Sequence, residues 1–213
     1  MTESLAATLV ETYKALARHG LNHGSSGNVS ARLGAEMLVT PTGATADSLA
    51  PGQMVRMPIL GPAAPGSAPS SEWPMHAAVY AACPEAGCVI HSHADACTAL
   101  ACLGEKLPAF HYMVVGFGGD SVPLVPYATF GTPALAEAAG RAIAGHKACL
   151  LENHGMIVQG PDAATALATA LRLETLARQY LLARGAGRPR LLSDSEIAAA
   201  RERYKTYGKP QPA

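Results

Sequence analysis

The sequence predicts an α/β chain around an antiparallel or mixed sheet. Three observations carry this. Apolar runs of strand length are short and lie scattered among segments of helical periodicity. Several of them succeed one another with no helix between, which disfavours a doubly wound parallel sheet. The chain has 213 residues, roughly half apolar and only 15% charged, so one substantial domain with a large buried core is expected.

The elements follow in order. Leu5, Leu9, Tyr13 and Leu16 recur at helical spacing, and Gly20 stops the run. "GLNHGSSGNVS", from Gly20 to Ser30, is rich in glycine and serine and reads as a loop. "MLVTPTG" is a short strand entering a turn, and "MVRMPIL" is a second strand. The Pro, Gly and Ser of residues 61–73 predict irregular chain until Pro74, which suits the first turn of a helix carrying Met75, Val79 and Ala82 inward. "GCVIHSH" is a buried strand, followed by a small-residue, helix-like run, and "SVPLVPY" is a short extended piece. "GTPALAEAAGRAIAG" offers Thr132 as N-cap, Pro133 in the first turn and Gly145 as the stop. "KACLLENHGMIVQG" reads as two strands joined near Asn153 to Gly155. Residues 161–184 form a long helix opened by Pro161 and closed by Gly185. Ser193 and Glu196 make a capping box for a last helix ending near Gly208.

Composition excludes some partners. Formal net charge is zero, so neither nucleic acid nor an anionic membrane is an expected partner. No segment reaches the about 18 apolar residues of a membrane span. The N-terminus lacks the basic leader of a signal peptide. The five cysteines form no CxxC pair, which points to a reducing compartment and buried thiols. A cytoplasmic location is expected.

The chemistry concentrates in a few residues. In a strand, i and i+2 share a face, so "HSH" sets His91 and His93 side by side as half a divalent metal site, or as a hydrogen-bonded core pair. His154 ends an apolar strand before a glycine turn, where a scaffold can present a functional group. Glu72 enters a helix from the Pro/Ser-rich loop and is the fourth candidate. His76, one turn later, is the alternative, although it should share the inward face with Val79. Three imidazoles and a carboxylate suit zinc, and a carboxylate able to leave would open the site and act as a base. "GSSGNVS", "TPTG" and "PSSE" carry hydroxyls and backbone N–H groups that could cradle an anion without positive charge, or be no more than turns.

Taken together, "SSGNVS", "TPTG", "SSEW", "HSHADACTA", "HYM", "YATFGT", "LLENHG" and "KTYG" occur in an order and spacing that resembles the class II aldolase/adducin family. The resemblance spans about Leu21 to Gly208. It implies a single three-layer α/β/α domain over residues 1–213 around a largely antiparallel sheet, with a mobile tail from about residue 205 and fourfold-symmetric tetramers with active sites at subunit interfaces. It implies one Zn2+ per chain, with Mn2+ or Co2+ as substitutes, held by His91, His93, His154 and Glu72. It places the phosphate of a small sugar substrate among Gly27, Asn28, Thr42, Gly43, Ser70 and Ser71. Glu72 is then also the acid/base, and Tyr112 the acid for the aldehyde oxygen, reaching in from a neighbouring subunit. Phe130 and Tyr207 line the site.

The implied reaction is reversible cleavage of a ketose 1-phosphate, such as L-fuculose 1-phosphate, to dihydroxyacetone phosphate and an aldehyde through a metal-stabilised enediolate. Lys106 and Lys147 are expected on the surface, against a Schiff-base mechanism. Ser92, Asp95, Ala96 and the "ENHG" stretch depart from the family pattern and are expected to surround the metal and shape the aldehyde pocket. Alternatives within the family are a 4-epimerase, a sugar-acid-phosphate decarboxylase and a dehydratase. Glu72 stands where the epimerases carry aspartate, and Ser71 where a decarboxylase would want lysine. An adducin-like interaction module without chemistry would be expected to lose the three histidines.

Overall fold

A computed structural model describes residues 2–206. Seven strands form one sheet in the order β3-β2-β1-β4-β7-β6-β5. The strands are β1 (Asn28–Leu33), β2 (Glu36–Val39), β3 (Val55–Pro58), β4 (Cys88–Ser92), β5 (Leu124–Val125), β6 (Ala148–Leu151) and β7 (Gly155–Gly160). All pairings are antiparallel except β5 with β6. The helices are α1 (Thr2–Arg18), α2 (Trp73–Ala82), α3 (Asp95–Cys102), α4 (Pro133–Ile143), α5 (Ala163–Ala186) and α6 (Asp194–Tyr204).

Three layers result because the sheet buries both faces. Cys88 and Ile90 of β4, with Met156 and Val158 of β7, join the core shared with α1, α3 and α5. Val89 and Ile157, the alternate residues, join the core shared with α2 and α4. With apolar residues needed on both sides, the central strands read as continuous apolar runs. This is the α/β, three-layer, largely antiparallel architecture expected.

Local signals account for most ends. Thr132 Oγ1 accepts from Leu135 N, and Ser193 with Glu196 forms the capping box. Pro74 lies in the first turn of α2, and Gly145 sits at φ +76 just past α4. Three expectations need correction. The glycine-rich loop ends at Gly27, and Asn28 already opens β1; "NVSARL" alternates polar and apolar residues, a strand signal masked by the glycines and serines before it. The long helix starts after the N-cap Asp162, runs through Gly185 and ends at Gly187, since its preceding turns hold Gly185 in helical conformation. The last helix ends at Tyr204; Gly208 and Tyr207 lie outside the described residues. A 3₁₀ segment, Tyr112–Phe117, was not anticipated.

Candidate metal centre

The centre forms where β4 and β7 end together beside the start of α2. β4 pairs antiparallel with β7, and Ser92 lies opposite Met156. His93, just past β4, and His154, just before β7, therefore meet at one edge. Asn153 at φ +53 makes the tight turn that presents His154; asparagine tolerates this conformation better than most side chains. Gly155 allows the close approach, because a Cβ there would stand 2.4 Å from Ser92 O.

The three imidazoles face one another edge to face, with ring centroids 4.7–4.9 Å apart and interplanar angles of 72–73°. Glu72, the N-cap of α2, closes the fourth side. The donor atoms of His91, His93, His154 and Glu72 lie within 4.8 Å of one another. His91 Nε2 is 3.0 Å from His93 Nε2 and 3.1 Å from Glu72 Oε2, and His154 Nε2 is 3.2 Å from Glu72 Oε1. Donors of a tetrahedral zinc with bonds of about 2.1 Å would lie roughly 3.4 Å apart.

This donor set fits a divalent cation. His91 Nδ1 lies 2.9 Å from the Met156 carbonyl oxygen, which can only accept, so Nδ1 carries the proton and Nε2 is a bare lone pair. That lone pair faces two other potential donors at once. Glu72 Oε1 is buried and lacks a hydrogen bond of good geometry despite its proximity to His154. One proton can relieve one such contact; one cation in the middle relieves all of them. Burial pushes the Glu72 carboxyl up, yet the adjacent His91 and His154 imidazoles outweigh it and hold it far below the usual range. Burial, then the neighbouring His91 and His154, lowers His93 to about 4, so its ring is neutral and available as a ligand at neutral pH.

His76 is not part of the cluster. Its ring is fully buried, with Nε2 2.5 Å from Asn28 Oδ1 and Nδ1 2.7 Å from Ser30 Oγ. Of the two candidates for the fourth position, Glu72 is the one the fold brings to the histidines.

A cavity of about 330 Å³ opens onto the cluster, lined among others by Ser71, His93, Tyr127, Phe130, Asn153 and His154. Phe130 and Tyr127 are exposed at its mouth. Tyr127 was not singled out, although it opens the quoted motif "YATFGT"; Asn153 belongs to the "ENHG" stretch expected at the pocket. Tyr112 stands apart from this cavity, 48% exposed, with the His111 ring stacked on it at 4.7 Å.

The three small-residue loops do converge. Thr40 N bonds to Val29 O and Ser70 N to Thr40 O, and Thr42 N donates to Ala68 O, which ties "GNVS", "TPTG" and "PSSE" together. Three of the N–H groups in these loops are thus already used. Ser70 Oγ accepts from Glu72 N at 3.3 Å, and the Asn28 amide is engaged by Glu72 Oε2 at 3.1 Å and by His76. Thr42, Gly43 and Ser71 are exposed. Gly27 has φ +73, and a Cβ on it would collide with the buried Asn22 amide at 2.4 Å.

Three of the four expected pocket-shaping positions do not reach the cavity. Ser92 points to the opposite sheet face and bonds to Leu21 O, Asp95 is exposed near His23, and Ala96 is buried in the α3–α5 core. Strand alternation puts Ser92 on the face away from His91, and α3 carries the next two residues off. Only the "ENHG" turn contributes. Lys106 and Lys147 are exposed, as expected. Four cysteines are buried, with thiols raised by burial, and Cys102 is exposed. No helix among the described residues is long and apolar enough to cross a membrane.

The profile of the class II aldolase and adducin N-terminal domain matches residues 7–181. The chain is 42% identical over 205 residues to L-fuculose phosphate aldolase of Escherichia coli (strain K12), covering 96% of this chain and 95% of that one. It is 41% identical over 200 residues to 5-methylthioribulose-1-phosphate/5-deoxyribulose-1-phosphate aldolase of Rhodospirillum rubrum, covering 94% and 90%. A solved L-fuculose 1-phosphate aldolase superposes with a TM-score of 0.89 at 35% identity, covering 95% of this chain and 96% of that one. The chain belongs to the class II aldolase and adducin family.

Proposed function

We propose that this protein is a zinc-dependent aldolase that reversibly cleaves a ketose 1-phosphate to dihydroxyacetone phosphate and an aldehyde. The observation that carries the reading is the convergence of three imidazoles and one carboxylate on a point beside an open cavity. His91, His93, His154 and Glu72 would hold the cation. When bound, a divalent cation supplies Lewis acidity toward substrate carbonyl and hydroxyl oxygens.

The chain's own groups do the rest. Glu72 takes the C1 proton, since its carboxylate is held ionised and lies at the cavity wall. The phosphate sits at the converged loops, against Gly27, Thr42, Gly43, Ser70 and Ser71. Tyr112, away from the cavity of its own chain, protonates the aldehyde oxygen of a neighbouring subunit in a homotetramer. Phe130 and Tyr127 exclude water from the aldehyde side, and Tyr207 of the tail would add to that wall. The protein would act in the cytoplasm.

A second substrate reading has its own support. Tyr127, Ala128 and Phe130 give the cavity an apolar wall, which suits an aldehyde ending in a methyl or methylthio group, and the Rhodospirillum rubrum relative is named for such substrates. The test is to incubate the metal-loaded protein with L-fuculose 1-phosphate, 5-deoxyribulose 1-phosphate and 5-methylthioribulose 1-phosphate, and to assay dihydroxyacetone phosphate. Release from at least one supports the proposal. Release from none, with the cation bound, refutes it.

A further inference from the structure

β1 and α2 carry a line of polar residues at matched spacing in an otherwise apolar layer. Asn28, Ser30 and Arg32 alternate along β1, so they share a face. Glu72, His76 and Tyr80 recur every fourth residue at and along α2, so they share a face too. The two series interlock. Asn28 Nδ2 donates to Glu72 Oε2 at 3.1 Å, and His76 Nε2 meets Asn28 Oδ1 at 2.5 Å. Ser30 Oγ lies 2.7 Å from His76 Nδ1 and 2.8 Å from Tyr80 OH. The Arg32 guanidinium covers the Tyr80 ring at 4.7 Å from its centroid.

The direction of every donor in this chain is fixed. A carboxylate only accepts, so Asn28 must turn its NH2 to Glu72 and its carbonyl oxygen to His76. His76 Nε2 must then carry a proton. Burial, the first cause, lowers the His76 ring to about 3, so the ring is neutral and Nδ1 is an acceptor. Ser30 O–H therefore donates to Nδ1, and Tyr80 O–H to Ser30 Oγ. Tyr80 is 1% exposed, so the chain ends inside the protein and offers no exit for a proton.

We propose that His76 is a positioning residue: the closed chain from Tyr80 through Ser30 and His76 locks the Asn28 amide with its NH2 toward Glu72, holding one carboxylate oxygen while the other stays beside His154. The inference rests on the aldolase reading only for its kinetic consequence. A flipped Asn28 would present its oxygen to Glu72, which a carboxylate repels and only a protonated acid accepts. The lock thus keeps an N–H donor on the Glu72 oxygen that faces β1. It also removes His76 itself as a candidate base, since both ring nitrogens are committed.

The test compares His76→Leu, which cannot donate to Asn28, with His76→Gln, whose amide N–H can. Exchange of the C1 proton of dihydroxyacetone phosphate into D2O is followed by NMR. His76→Leu should lower kcat by about 10–100-fold, the scale of a lost hydrogen bond to a charged group, with KM within about twofold, and His76→Gln should recover most of it. Equal loss in both variants, no loss in either, or a KM rise at unchanged kcat would overturn the proposal. Imidazole 15N shifts of the cation-free protein give a readout without turnover: His76 should be the Nε2–H tautomer in the wild type and remain so in Tyr80→Phe, because Asn28 is still oriented by Glu72 and Ser30 O–H can still donate to Nδ1. An Nδ1–H ring in the wild type overturns the lock. Absence of exchange in the wild type would defeat the aldolase reading, and the 15N result would still judge the chain.

Discussion

Replacing Gly155 by alanine probes how tightly the donor cluster depends on the sheet. The added Cβ would stand 2.4 Å from Ser92 O, 3.2 Å from His93 Cδ2 and 3.3 Å from His93 Cα. A relaxed contact between such heavy atoms is roughly 3.5 Å, so the end of β4 and the start of β7 must part by about 1 Å. Overpacking of this kind costs about 1–3 kcal/mol. In a domain of this size each kcal/mol lowers Tm by about 2–4 °C, so a fall of about 2–12 °C is expected. The displaced backbone carries two donors, His93 directly after Ser92 and His154 directly before Gly155. Coordination distances tolerate only about 0.2 Å, so zinc affinity should fall by at least about 10-fold, comparable to loss of a ligand's supporting partner. Thermal denaturation in the presence of chelator gives the first number, and competition with a chromophoric chelator gives the second. An alanine variant with the parent's Tm and the parent's zinc affinity would refute the argument that Gly155 sets the geometry of the centre.

Three further predictions test other links. Tyr112→Phe should slow carbon–carbon cleavage while leaving C1 proton exchange nearly unchanged, because exchange does not involve the aldehyde; equal loss of both would show that Tyr112 shapes the site instead. Glu174 accepts from Ala96 N and Cys97 N at 2.9 Å each, at the start of α3, so Glu174→Ala should cost about 1.5–3 kcal/mol and lower the urea midpoint; an unchanged midpoint would mean water replaces the carboxylate without loss. The Glu196 carboxyl is lowered from 4.5 to about 2, first by the Arg190 hydrogen bond and then by the Ser193 backbone. A depressed carboxyl stabilises the fold above its unfolded value and loses this as pH falls through its folded value. Amide exchange in α6 should therefore quicken between about pH 4.5 and 2, beyond the intrinsic change, and Glu196→Gln should abolish that dependence.

Much of the molecule is written locally. Thr132, Pro133, Ser193 and Glu196 mark helix starts because their side chains or missing N–H meet needs that exist within one turn of chain. His91 and His93 could be placed on one side because strand alternation is a local rule, and "ENHG" marked a turn because Asn and Gly are the residues that turn tightly. The family resemblance added the ligand set and the chemistry. What stayed hidden was whatever depends on a neighbour distant in sequence. β1 was missed because the glycine- and serine-rich run before it masked the alternation of "NVSARL", whose polar residues find their partners only on the distant α2. Gly185 was taken as a stop because glycine usually is one, whereas the turns already formed on its N-terminal side carry α5 two residues further.

The site divides along the same line. The sequence alone determined which side chains can bind a cation and offered three small-residue loops that could cradle an anion or be no more than turns. Only the tertiary structure decided that Glu72, and not His76, completes the cluster, because α2 directs one residue at the cavity and the next turn into the β1 layer. Only it could show that Asp95 and Ala96 lie away from the cavity, or that Asn28 is held between a carboxylate and an imidazole. Donor chemistry belongs to the residue, but direction belongs to the packing of β1, β4 and β7 against α2, and that packing is set by apolar residues spread along the whole chain.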